Sequence, residues 1–217
     1  MTEEKRFVYV IDDDPSVRKA LERLLRSSGY CVNTFASASE FLDFSCPDMP
    51  GCIILDIQMP KISGLELQDC LARKCVYLPI VFITGHGTIP ASVRAFKAGA
   101  MDFLQKPFEE SDLLDAVSRG IEKHRRLRQE QNILKVLRAR AATLTPRERE
   151  VFGLVVSGML NKQVAFDLGT AEKTIKVHRA RVMEKMCAQS FADLVRFAEK
   201  IGTYPSGSKQ QAVDSKQ

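Results

Sequence analysis

FVYVIDDDP, residues 7–15, sets an uninterrupted apolar run against three aspartates and a proline. Residues 7–11 read as a short buried strand, because β-branched and aromatic side chains follow one another and stop abruptly at charge. Asp14 ahead of Pro15 reads as an N-cap followed by proline at the first helical position, where the missing N–H is no loss. The scheme then repeats. Residues 32–35, 52–55, 80–83 and 102–104 give four more strands, and Ser37 with Glu40 and Ser63 with Glu66 supply capping boxes ahead of helical periods. Val17, Leu21, Leu24 and Leu25 share one helical face that can lie on a sheet. Strand alternating with helix predicts a doubly wound α/β domain, a five-stranded parallel sheet covered on both faces, over residues 1–120.

The remaining chain is expected to form a second domain, since 217 residues exceed the ~100–150 of one, although length alone also allows one large domain. With 45% hydrophobic and 27% charged residues the composition is that of a soluble globular protein. No apolar run approaches the ~20 residues of a membrane helix, and the opening residues lack the pattern of a signal peptide, so a cytoplasmic protein with no membrane partner is expected. Six cysteines without a C-x-x-C pair and three scattered histidines exclude a disulfide scaffold and a zinc cluster. Charge divides the chain. Residues 1–120 carry 13 Lys+Arg against 17 Asp+Glu, a net −4, whereas 121–217 carry 19 against 10, a net +9. The basic half points to a polyanion, nucleic acid before membrane, because it shows no lipid-facing amphipathic helix with large aromatics.

Residues 121–140 are strongly basic and free of proline, and read as a helical linker too short for a coiled coil. The second domain, residues 141–202, opens at Thr145-Pro146-Arg147-Glu148, which combines N-cap, first-turn proline and capping-box glutamate. Asn161, Thr170 and Ser190 read as further caps, and Gly158 and Gly169 as breaks, giving four short helices. Residues 203–217 have too few large apolar groups to offset ordering and read as a disordered tail. Residues 161–187 form helix, glycine-containing turn, helix, the arrangement whose second helix enters the DNA major groove. Along it Ile175, Val182 and Met186 make an apolar stripe, while Lys173, Lys176, Val177, Ala180 and Arg181 fall opposite. Lysine and arginine suit guanine edges or phosphate, and small side chains allow close approach.

In an open parallel sheet, ligands bind in the crevice at the carboxyl ends of the strands. Those ends carry Asp12 and Asp13, Asp56, Thr84 and, just past the fifth strand, Lys106. Carboxylates packed together repel unless a cation joins them, and an oxygen-only set suits Mg²⁺. A nucleophilic carboxylate, a metal, a hydroxyl and a mobile ammonium are the parts of a phosphoryl transfer to Asp56. Singly, each residue has an ordinary reading: the aspartates a solvated turn, Thr84 a strand-end hydroxyl, Lys106 a surface charge, His86 a loop residue. Their coincidence on four strand ends favours the site.

V-I-D-D-D-P (10–15), I-L-D-I-Q-M-P-K-I-S-G (54–64), V-F-I-T-G-H-G (81–87) and K-A-G-A-M-D-F-L-Q-K-P-F (97–108) together resemble the receiver domain of two-component response regulators, a flavodoxin-like fold. The resemblance implies Asp56 as phosphoacceptor, with Asp12, Asp13 and the backbone carbonyl of Gln58 helping to hold Mg²⁺. It implies that Thr84 and Lys106 bind the phosphoryl oxygens, that a cis peptide joins Lys106 to Pro107, and that Phe103 moves with Thr84. Phe103 reads equally well as plain core. L-T-P-R-E-R-E-V-F (144–152) and N-K-Q-V-A-F-D-L-G-T-A-E-K-T-I-K-V-H-R-A-R-V-M-E-K-M (161–186) resemble the LuxR-type DNA-binding domain, and the pair of domains resembles the NarL/FixJ class. By that likeness Lys173, Lys176, Val177 and Arg181 face bases or nearby phosphates, Lys162, His178 and Arg179 contact the backbone, and Thr174 belongs to the same DNA-binding set.

The expected protein is not an enzyme but a switch: a sensor histidine kinase phosphorylates Asp56, and the protein dimerises and binds promoter DNA, with RNA polymerase as a further partner. Two other readings compete. An Asp-nucleophile phosphatase would carry D-x-D on its first strand, whereas Asp56 lies on the third and no acid stands two places after it. A receiver could also act on a protein partner rather than DNA.

Overall fold

The computed structural model describes residues 5–85, 94–95 and 97–203. His86 and the expected tail beyond residue 203 lie outside them. The chain divides into two compact units, Met1–Gln129 and Glu130–Gln217.

The first unit contains β1 (Phe7–Ile11), α1 (Pro15–Ser27), β2 (Cys31–Phe35), α2 (Ala38–Asp43), β3 (Gly51–Asp56), α3 (Gly64–Arg73), β4 (Ile80–Thr84), β5 (Asp102–Gln105) and the start of α4 (Glu110–Ala142). The strands are all parallel and ordered β2-β1-β3-β4-β5, so the direction of winding reverses between β1 and β3. That reversal opens the crevice in which such sheets hold ligands. Period-two alternation sorts the core. Tyr9, Ile11, Ile53, Leu55 and Phe82 face Phe41 of α2 and Leu67 and Leu71 of α3. Val8, Val10, Ile54, Val81 and Ile83 face Leu21 and Leu25 of α1 and Leu113, Val117 and Ile121 of α4. Each such side chain contributes about 1.5–3 kcal/mol by leaving water.

Strands three and four run further than the sequence suggests, through Asp56 and Thr84, because the ladder pairs backbone and is indifferent to a polar side chain: Asp56 pairs with Ile83 and Thr84 with Gln105. The functional groups are therefore built into the last rungs of the sheet. Two glycines allow close approach. A Cβ on Gly64 would overlap the carbonyl oxygen of Asp56, and one on Gly120 would sit 2.8 Å from Cys52 Sγ, where α4 crosses β3.

The second unit holds α5 (Pro146–Val156), α6 (Asn161–Asp167), α7 (Glu172–Met186) and α8 (Phe191–Ile201) around Leu144, Val151, Phe152, Val164, Ile175, Val182, Met186 and Leu194. Residues 121–140 lie within α4. Thr145 with Glu148 and Ser190 with Asp193 form complete capping boxes. Asn161 and Thr170 do not cap. The N-cap positions are Leu160 and Ala171, and the Leu160 N–H is satisfied by Gln163 Oε1 at 2.7 Å. Asn161 is thereby the first residue inside α6, and its amide oxygen is turned toward another helix. All six cysteines are free thiols.

Candidate phosphoacceptor site and nucleic-acid interface

At the end of β1, Asp14 Oδ1 accepts from the Ser16 N–H at 2.7 Å and caps α1, while Asp12 Oδ1 accepts from the Asp14 N–H at 2.9 Å. These two local bonds turn the chain so that Asp12 points into the crevice, where it is buried, and Asp13 points to solvent. Across the reversal point, Asp56 is the last residue of β3 and its Oδ2 accepts from the Gln58 N–H at 2.7 Å. Lys106 reaches in from beyond β5. Its Nζ donates to Asp12 Oδ2 at 2.8 Å and to Asp56 Oδ1 at 3.1 Å. The lysine is positioned by a bond from its own N–H to the Thr84 carbonyl at 2.8 Å, next to a cis Lys106–Pro107 peptide.

Four expected residues thus meet: Asp12, Asp56, Thr84 and Lys106. Burial pushes the Asp56 carboxyl above the ordinary carboxylate range, the Lys106 bond pulls it back, and the Asp12 charge raises it again. Burial would lower the Lys106 ammonium, but bonds and charges from Asp12 and Asp56 outweigh it and hold the pKa above its usual value. Two buried carboxylates share one ammonium, so the site retains an excess of negative charge and of oxygen donors. That donor set fits a hard divalent cation. Among the described residues, however, no three His, Cys, Asp or Glu side chains converge as a metal-binding group. Asp13 stays outside the pair, and Gln58 is exposed with its N–H on Asp56. Phe103, half-buried, packs against the core on the face of the sheet covered by α2 and α3, and pairs in register with Phe82. One contact had no signal in the sequence pattern: Arg18 Nη1 donates to the Asp12 carbonyl at 2.6 Å, tying α1 to the strand end.

In the second unit Lys162, Lys173, Thr174, Lys176, Val177 and Arg181 are all exposed. Lys176 Nζ lies 3.2 Å from Glu172, a pair on one exposed face of α7 that contributes little in water. Ala180 and the 46% exposed Val177 leave the middle of that face low enough for a groove edge. His178 and Arg179 differ. Both are only partly exposed, and His178 Nδ1 is buried with no hydrogen-bond partner among the described residues. Arg179 Nη1 donates to Asn161 Oδ1 at 3.2 Å, and its guanidinium carbon stands 5.0 Å from the centre of the Phe191 ring. Helical spacing could have shown this, since Arg179 follows Ile175 by four and precedes Val182 by three, on the packed stripe.

Residues 8–118 match the response regulator receiver domain, and residues 142–198 match the luxR family of bacterial regulatory proteins. The chain belongs to the response regulators of the NarL/FixJ class. It is 47% identical to nodulation protein W of Bradyrhizobium diazoefficiens, over 96% of this chain and 92% of that one. The transcriptional regulatory protein FixJ of Rhizobium meliloti is 41% identical over 92% of this chain and 98% of its own. The solved response regulator StyR superposes with a TM-score of 0.83 at 48% identity, over 90% of this chain and 99% of that one. This NarL/FixJ-class chain is accordingly a phosphorylation-dependent, DNA-binding transcription regulator, and control of a protein partner in place of DNA is not favoured. Members are regulators rather than enzymes, a receiver implies a histidine kinase, and receivers as a class use Mg²⁺ for phosphorylation. Among the described residues, no helix is long and apolar enough to cross a membrane.

Proposed function

We propose that Asp56 is the phosphoacceptor, that Asp12, Asp13 and the Gln58 backbone carbonyl join it in holding Mg²⁺, and that Thr84, Lys106 and Phe103 carry the response. The observation that bears most on this is the Lys106 ammonium bridging Asp12 and Asp56 at 2.8 and 3.1 Å. A carboxylate oxygen of Asp56 attacks the phosphorus of the kinase's phosphohistidine. The P–N bond breaks, its electron pair stays on the imidazole nitrogen, and an acyl phosphate forms. Mg²⁺, when bound, neutralises charge on the transferred oxygens. Lys106 exchanges a carboxylate partner for a phosphoryl oxygen, and Thr84 supplies a hydroxyl donor.

The readout is DNA. Phosphorylation favours a homodimer, and two linked half-site contacts raise the effective concentration of the second. Lys173, Thr174, Lys176, Val177 and Arg181 face the groove, Lys162 and His178 lie beside the phosphates, and RNA polymerase is the partner next to the promoter. Residues 1–120 form the receiver, 121–140 the linker and 141–202 the DNA-binding part. Incubation with acetyl phosphate and Mg²⁺ tests the site: the wild type gains one acid-labile phosphoryl group, and Asp56→Asn gains none because an amide is a poor nucleophile. Undiminished labelling of Asp56→Asn would remove the assignment.

A further inference from the structure

Basic residues on a helix that enters a DNA groove are ordinarily counted as DNA contacts. Arg179 does not lie with the others. Around α7, Ile175, Val182 and Met186 are fully buried or nearly so, and Arg179 falls on the same stripe, four residues after the first and three before the second. Lys173, Val177, Ala180 and Arg181 are exposed on the far side. The guanidinium is already engaged at both ends. It donates to Asn161 Oδ1 at 3.2 Å, in the first turn of α6, and stacks at 5.0 Å on Phe191, the first residue of α8. One planar cation therefore joins three helices. The first turns of α6 and α8 present the positive ends of helix dipoles, which disfavour a cation there. The amide oxygen and the negative face of the ring are what retain it.

We propose that Arg179 is a positioning residue: held between Asn161 and Phe191, it fixes the tilt of α7 against α6 and α8, and so aims the base-facing side chains without itself neutralising a phosphate. The proposal rests on α7 being the recognition helix. It predicts a particular pattern of loss. A residue that touches phosphate contributes equally to every duplex and to the salt dependence, about 0.9 of slope in log K against log salt per phosphate. A residue that aims other side chains contributes to discrimination between duplexes and leaves that slope alone. Lysine keeps the charge but lacks the planar fork and the stacking face, so it does not substitute for arginine in a positioning role.

The test uses the full chain with acetyl phosphate, a specific and a scrambled duplex, and several salt concentrations. Arg179→Ala and Arg179→Lys are each expected to weaken specific binding about tenfold or more, narrow the specific-to-scrambled ratio, and leave the salt slope unchanged. Phe191→Leu and Asn161→Ala remove one partner at a time and keep the core apolar. Each is expected to reproduce part of the loss, and Arg179→Ala combined with Phe191→Leu to lose no more than Arg179→Ala alone. Amide spectra reporting Val164 and Leu194 identify any variant that has simply unfolded, in which case the two partner variants decide. A slope reduced by about 0.9 in Arg179→Ala and restored by lysine would overturn the proposal, as would unaltered discrimination in Arg179→Ala, or in both partner variants. Lys176→Ala is the control for the underlying reading. If it changes neither affinity nor slope on any duplex, α7 is not the recognition helix and the Arg179 proposal falls with it. A normal loss in Lys176→Ala beside an unaffected Arg179→Ala defeats the Arg179 proposal alone.

Discussion

Lys106 is the residue on which the proposed phosphoacceptor site turns, because its ammonium bridges Asp12 and Asp56 where they lie buried side by side. Replacing it with alanine leaves two carboxylates without that partner, which raises the Asp56 pKa further by burial and by repulsion from Asp12. Lys106→Ala should still take up phosphoryl groups from acetyl phosphate with Mg²⁺, but should lose most of the phosphorylation-dependent dimerisation, measured by labelling and size-exclusion chromatography on the same sample. Normal dimerisation of the labelled variant would show that the response does not pass through Lys106. Asp12, Asp56, Thr84 and Lys106 were legible in the sequence because strand ends of a parallel sheet converge by topology alone. Arg18 on the Asp12 carbonyl was not, since it depends on where a long side chain finds an acceptor; for Arg179 the spacing marks the packed stripe but not its partners Asn161 and Phe191.

Helices were legible where a short-range code marks them. Asp14, Ser37, Ser63, Thr145 and Ser190 all accept a first-turn N–H as their spacing predicts. Asn161 and Thr170 were misread as caps because the same residue types also occupy the first turn and the turn between helices. Glu148 shows what a cap gains from tertiary context. It caps Thr145 and also receives Lys185 Nζ at 2.6 Å, and that bond, with the Thr145 N–H, lowers its carboxyl from 4.5 to about 2. A depressed carboxylate stabilises fully above its unfolded value, and the contribution fades as pH falls from about 4.5 towards about 2. Glu148→Gln should lower the stability of the helical unit by about 1–3 kcal/mol at neutral pH, and flatten its acid unfolding over that window in urea titrations. Equal acid sensitivity in the variant would contradict the pairing.

On α4, His124 behaves in the opposite chemical sense with the same outcome. Its Nδ1 accepts the Gly51 N–H at 2.9 Å, which requires a neutral ring. Burial first, then the neighbouring Arg128, push its pKa below 6.5, while Asp48, held by Arg128, pulls the other way. The unfolded chain takes up the proton near 6.5 and the folded one resists, so the contribution is complete above that pH and is lost as pH falls through the folded value. Urea midpoints of the receiver unit should decline between pH 7.5 and 5.5, and His124→Gln should remove most of that decline. This anchor was invisible in the sequence: histidine and donor are 73 residues apart.

Taken whole, the chain joins an acidic part, residues 1–120 with the proposed phosphoacceptor Asp56, to a basic part that carries the proposed recognition helix. The charge split announced that division of labour, and the strand–helix alternation the first fold; the composition of the second unit gave its helices but not which cations face outward. The central claim is that phosphorylation of Asp56 governs DNA binding. Its most direct measurement is equilibrium binding of the full chain to a specific duplex, at fixed salt, with and without acetyl phosphate and Mg²⁺, beside Asp56→Asn under the same conditions. Acetyl phosphate should tighten binding of the wild type at least tenfold and leave Asp56→Asn unmoved. Equal tightening in both proteins, or none in a wild type shown to be phosphorylated, would contradict the account.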